Sequence, residues 1–128
     1  MSLDEPLFLT QAQVERLHDI SLEKYGGQAG IGDPGLVDSA LASAKNAYFY
    51  GGGDIFDIAA AYAFHIAEAQ AFNDGNKRAA VAAALTFLEL NSVRSTPSED
   101  ELYDAMIDIA NKRLNKIGLA KLLRSTAN

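Results

Sequence analysis

The chain has 128 residues, 48% of them hydrophobic, with a formal net charge of −6 and a pI near 4.7. That length favours a single domain, residues 1–128, around one core, and the acidic balance argues against direct nucleic-acid binding or attachment to an anionic membrane. The absence of cysteine excludes disulfides and thiolate metal sites, and the acidic start Met1-Ser2-Leu3-Asp4-Glu5 lacks the basic-then-apolar order of a secretory signal, so a cytoplasmic location is expected.

Residues 1–9 read as a loose lead-in. Thr10 is placed as the N-cap of a first helix, Gln11 to Tyr25, because its hydroxyl can take a free N–H of the first turn. Val14, Leu17, Leu22 and Tyr25 fall near one face of it, and Gly26-Gly27 ends it. The loop from Gly26 to Gly32 is rich in positions that tolerate positive φ. Asp33-Pro34 then pairs a capping acid with a proline suited to the first helical position. It opens a second helix to about Asn46, with Leu36, Val37, Ala40, Leu41 and Ala44 inward. Tyr48, Phe49 and Tyr50 beside Gly51-Gly52-Gly53 predict an exposed, flexible segment. Asp54 caps a third helix, Ile55 to about Ala71, whose inner residues include Ile58, Tyr62 and Ile66.

The stretch Gln70-Ala-Phe-Asn-Asp-Gly-Asn-Lys-Arg78 is a tight polar turn that runs directly into an apolar helix. From Ala79 to Leu90 only Thr86 and Glu89 are polar. A helix apolar on nearly every side must be enclosed by other helices or by lipid, and this one is too short for a bilayer. It is therefore expected to be the central buried helix.

A break from Asn91 to Thr96 precedes Pro97-Ser98, where Ser98 and Glu101 form a potential capping box. Leu102, Tyr103, Met106, Ile107 and Ala110 make the apolar face of this helix, and its acids Glu99, Asp100, Glu101 and Asp104 suit the positive end of the dipole. A last helix, about Lys116 to Arg124, is expected to bury Ile117, Leu119, Ala120, Leu122 and Leu123. Five of the 11 cations, Lys112, Arg113, Lys116, Lys121 and Arg124, gather here and read as a solvated face or as a docking surface for an acidic partner. No alternating run is long enough for a sheet. The expectation is an all-α bundle of about six helices around the central one.

Asp74, Lys77 and Arg78 form the constellation most suited to chemistry. A helix start with free N–H groups and two cations suits a phosphate. Arg can grip it with two parallel bonds, and Asp74 can hold a divalent metal that shares the phosphate oxygens. Phosphoryl and nucleotidyl transfer need mainly such positioning and charge stabilisation. The plainer reading is that Asp74 caps the helix while the two cations are solvated or pair with acids.

The segment Gln70–Arg78, followed by an alanine-rich helix ending Thr86-Phe-Leu-Glu-Leu-Asn91, resembles the signature of the Fic/Doc family, and most closely its Doc (death-on-curing) toxins. Leu17-His-Asp19, Tyr25-Gly-Gly27 and Asp33-Pro-Gly35 match in order and separation, so the resemblance runs from about residue 11 to residue 124. It implies an all-helical Fic fold whose motif loop forms an anion hole. It also implies a toxin of a toxin–antitoxin system, using ATP or another nucleoside triphosphate with Mg2+. Such a toxin transfers phosphate, or AMP in other members, to a hydroxyl of elongation factor Tu or another translation protein. A Phd-like antitoxin would be its partner. By the resemblance Asp74 is the metal-binding acid. Asn73, Gly75 and Asn76 form the anion-hole turn, Lys77 and Arg78 bind phosphate, and Phe72 anchors the loop. Tyr48, Phe49 and Tyr50 occupy the place of the target-docking flap.

The departure is Gln70, where the family pattern begins with its catalytic histidine; Ala79 replaces a common Thr. A glutamine amide has no basicity near pH 7. A loose phosphoryl-transfer transition state demands little early deprotonation, however, and Gln can orient a nucleophile. Three readings stay open: a slowed enzyme, an enzyme with another base, and a non-catalytic module that docks nucleotide or an antitoxin-like partner. His65, five residues before Gln70 on one helix, is turned away by about 140°. For His65 and His18 a structural role is expected.

Overall fold

The computed structural model describes residues 5–127. Its helices are α1 (Gln11–Tyr25), α2 (Pro34–Phe49), α3 (Ile55–Ala69), α4 (Asn76–Leu90), α5 (Glu99–Ala110) and α6 (Lys116–Thr126). The fold is all-α, as expected. One isolated antiparallel bridge, Ile31 with Phe72, is the only β pairing among the described residues.

Most of the helix starts follow from local chemistry. Thr10 with Gln13, Asp54 with Asp57 and Ser98 with Glu101 close capping boxes, while Asp33 and Asn115 cap α2 and α6 with single side-chain bonds. Each such cap stabilises its helix by about 1 kcal/mol.

The centre is a pair rather than a single rod. α4 packs on α1, α3 and α5, whereas α3 packs on α2, α4, α5 and α6. Alanines make this possible: Ala59, Ala60, Ala61 and Ala63 of α3 and Ala79, Ala80, Ala83 and Ala84 of α4 are all fully buried. Small side chains let helix axes approach closely. Tyr62 and Phe87 fill the seam, with ring centroids 5.1 Å apart.

Residues 5–9 are less loose than expected, while residues 1–4 lie outside the described part. The Asn91 side chain brackets Leu7: Leu7 N–H donates to Asn91 Oδ1 at 2.8 Å, and Asn91 Nδ2 donates to Leu7 O at 3.1 Å. Phe8 packs on Tyr48, Phe49 and Phe87. Leu9 is buried, and its N–H donates to the Tyr62 hydroxyl at 3.0 Å. Burial pushes the Tyr62 phenol up to about 12, against a smaller opposing effect of the Leu9 N–H. Tyr62→Phe would strand that N–H, and an unsatisfied buried donor costs about 1–3 kcal/mol. Thermal melting of the variant is expected to fall by several degrees.

Several expected faces shift. The residues α1 buries are Val14, His18 and Ser21, with Leu17 and Leu22 half-buried and Tyr25 exposed. Leu36 and Ile117, expected inward, are exposed. α2 continues through Tyr48 to Phe49, because Phe8 gives both rings a surface to pack on; Phe49 is still exposed, and Tyr50 more so at 87%. The cations near the C-terminus are partly paired: Arg124 bonds Asp54 and Asp57, and Arg113 bonds Asp108. No helix among the described residues is long and apolar enough to cross a membrane.

Candidate functional site

The turn between α3 and α4 is braced from three sides. α3 stops at Ala69 because Gln70 takes a left-handed conformation, φ 53° and ψ 41°. For a residue with a side chain this costs on the order of 1 kcal/mol or more, and such strain gathers at functional sites. The next residues run alongside the glycine loop: Gly32 N–H and Asp33 N–H donate to Ala71 O, and Asn73 N–H donates to Gly30 O. Gly30 has φ +117°, and a Cβ there would lie 2.5 Å from Asn73 Nδ2, so the close approach requires glycine.

His18 supplies the second brace. It is almost fully buried, stacks on Phe72 with centroids 3.9 Å apart, and its Nε2 lies 2.6 Å from Asp74 O. A carbonyl only accepts, so Nε2 carries the proton. Asn76 is the third brace: its Oδ1 accepts from Phe72 N–H and its Nδ2 donates to Phe72 O, both at 3.1 Å. The Asn76 side chain, expected at the phosphate, is thus committed to the turn, leaving its N–H as the group free for an anion. The Asn73 side chain likewise turns to the glycine loop, donating to Ala29 O.

Asp74 is exposed and held ionised. Its Oδ2 accepts from Gln28 N–H at 3.1 Å and its Oδ1 from Gly75 N–H at 2.9 Å. These two bonds, the Gln28 one first, hold its carboxyl below the usual carboxylate range. Gly75 follows at φ 75°, and α4 begins with no side-chain cap, alone among the six helices. Its first-turn N–H groups are therefore available to an outside acceptor.

The two cations part company. Lys77 and Gln70 line a cleft of about 570 Å³ between the ends of α3 and α5, the start of α4 and the α5–α6 loop. Glu68, Lys112 and Arg113 line the same cleft, over an apolar floor that includes Phe64 and Met106. Arg78 instead enters the groove between α1, α4 and α5. Its guanidinium lies between the rings of Tyr25 and Tyr103, 3.8 and 3.7 Å from their centroids, and 3.9 Å from Asp100. Its Nη1 is buried without a hydrogen-bond partner among the described residues. Tyr48, Phe49 and Tyr50 do not line the cleft. His65 also stays out of it: its Nε2 accepts from Lys116 Nζ at 3.1 Å.

Four shifted groups set an acid dependence of stability; one is Asp54, where burial raises the carboxyl but bonds from Arg124 and the Asp57 N–H together lower it by more. Burial, then the Lys116 charge, lowers His65 below its ordinary value. Hydrogen bonds from the Tyr25 hydroxyl and Lys24 lower Glu99, and the N–H bonds lower Asp74. In each case the unfolded chain takes up its proton at higher pH than the folded one. Stability should therefore decline first as pH falls through about 6.5, where an unfolded histidine titrates, and again below about 4.5, where carboxylates do. Urea midpoints measured from pH 8 to pH 3 would check both steps. His65→Gln should remove the first step and leave the second.

An all-α bundle with an uncapped, cation-bearing helix start after a braced N-D-G-N turn defines one class of protein: the chain belongs to the Fic/DOC family, whose sequence pattern matches residues 8–88. That span covers α1 to α3, the glycine loop, the turn and nearly all of α4, while the cleft wall from α5 and its loop lies beyond it. Among its relatives is a protein of Escherichia phage P1 named protein kinase doc, 34% identical over 109 residues, or 84% of this chain and 86% of that one. Another is a protein of Mycolicibacterium smegmatis named toxin Doc, 38% identical over 93 residues, or 69% and 71% of the two chains.

Proposed function

We propose that the protein is a single-domain, cytoplasmic Doc-like toxin. It transfers a phosphate, or a nucleotidyl group, from a nucleoside triphosphate to a hydroxyl of a translation factor such as elongation factor Tu, and a Phd-like antitoxin neutralises it. The observation that carries this reading is the uncapped start of α4, whose second residue, Lys77, lines a cleft together with Lys112 and Arg113. Polyphosphate bound there would accept the first-turn N–H groups and neutralise the three cations. The names of the phage and mycobacterial relatives, a kinase and a toxin, support the same direction.

Asp74 fits a magnesium ion that arrives with the nucleotide. A carboxylate has about four lone-pair sites, and two N–H bonds leave room for a metal. No cluster of three or more metal-ligating side chains occurs among the described residues. That suits an ion held by one carboxylate, phosphate oxygens and water. When bound, it would spread the charge of the phosphate oxygens. Phe72, His18 and Asn76 keep Asp74 and the Gly75 turn in place. Lys77 is the phosphate cation of the cleft, and Arg78 braces the start of α4 against α1 and α5. Tyr50 and the glycines after it are the surface for the target chain.

Calorimetry with ATP and magnesium tests the site. The natural protein should release binding heat, and Lys77→Ala should weaken affinity by about 10- to 100-fold, as loss of a charge-assisted bond predicts. Arg78→Ala should lower the melting temperature while leaving more of the heat. No heat from the natural protein would remove the nucleotide reading. A second reading is favoured by Gln70 itself: a module that docks nucleotide or antitoxin and transfers nothing. Labelled ATP, magnesium and elongation factor Tu distinguish the two by whether label reaches the factor.

A further inference from the structure

Gln70 cannot take up a proton, so the cleft either lacks a base or has one elsewhere. The other candidates are committed. His18 Nε2–H is spent on Asp74 O, inside the core. His65 lies outside the cleft with its Nε2 occupied by Lys116. Asp74 has an N–H on each oxygen and a depressed affinity for protons. Glu68 remains. It is exposed in the last turn of α3, two residues before Gln70, and it is the one carboxylate that lines the cleft with Gln70 and Lys77.

The geometry points to Glu68 as the base of a phosphoryl transfer in this cleft, with Gln70 orienting the hydroxyl. The inference rests on the transferase reading above. The acceptor hydroxyl oxygen bonds to the γ-phosphorus. The bond from that phosphorus to the β-bridging oxygen breaks, and the nucleoside diphosphate leaves with the electron pair. The hydroxyl proton passes to the Glu68 carboxylate. Lys77, Lys112 and Arg113 offset the charge that gathers on the leaving group. A carboxylate suffices where the transition state is loose, as the base of protein kinases is an aspartate. Replacing a histidine by glutamine then moves the base by two residues along α3 instead of removing it.

The test compares the natural protein with Glu68→Gln, Glu68→Asp, Gln70→His and Glu68→Gln/Gln70→His, in transfer of label from ATP to elongation factor Tu. Glu68→Gln should lower kcat by about 100-fold with unchanged ATP affinity by calorimetry. Glu68→Asp should keep part of the rate, and Gln70→His should restore transfer in the Glu68→Gln background. The pH profile separates a base from a brace. The pH dependence of the rate should differ between the natural protein and the double variant, because the proton acceptor changes from a carboxylate to an imidazole. An undiminished rate in Glu68→Gln overturns the inference, as does a loss matched by weaker ATP binding. Transfer by Gln70→His but not by the natural protein overturns it and leaves the transferase site standing. Transfer by neither removes the transferase reading itself.

Discussion

In the Glu68→Gln background, Gln70→His is expected to raise the rate of label transfer to the acceptor by roughly 10²-fold, the lower end of what a positioned general base contributes. The site is otherwise assembled: the turn is braced, Asp74 is ionised, and the start of α4 is uncapped. The variant meets little structural resistance, because position 70 is exposed and already left-handed, a conformation histidine adopts more readily than most residues. Melting temperature should therefore change by no more than a degree or two. ATP affinity should be unchanged, since the lost amide carries no charge. The gain should appear in kcat alone, with a rise near pH 6.5 as imidazole becomes neutral. An equal rate with and without Gln70→His in that background would mean that proton removal does not limit transfer. In that case the substitution at Gln70 would be silent.

What the sequence disclosed was what is short in range. Thr10, Asp33, Asp54 and Ser98 were legible as helix starts because a cap is a bond from a side chain to the backbone two or three residues on. The buried run of α4 was legible from its lack of polar residues. The braces were not. His18 looks like any polar residue in an amphipathic helix until Asp74, 56 residues later, is brought to its Nε2. Tyr48 and Phe49 read as loop because Phe8, which holds them, is far off in the chain. Lys112 and Arg113 carry the same charge on a solvated face as on a cleft, and only the path of the α5–α6 loop decides. The parting of Lys77 from Arg78 was legible in principle. Neighbouring residues on a helix diverge by about 100°, so from the first turn of α4 the two side chains leave in different directions.

His18→Ala should cost the protein on the order of 2–4 kcal/mol, more than any surface change near the site. Three contributions combine: a cavity in place of a buried ring, loss of the stack on Phe72, and loss of the donor to Asp74 O. For a chain of this size each kcal/mol is roughly 3–6 °C of melting temperature. The functional loss should exceed what unfolding explains. Without His18 the turn keeps its ties to the glycine loop and Asn76, but Asp74 is no longer fixed from the core side. Nucleotide heat should then disappear at a temperature where circular dichroism still reports a folded helical protein. His18→Phe separates the causes. It keeps a ring against Phe72 but cannot donate, so it should recover much of the stability and little of the binding. If both variants melt with the natural protein, the contact carries no weight and the turn is held by its neighbours alone. If His18→Phe binds nucleotide normally, the stack suffices and the bond to Asp74 O is incidental.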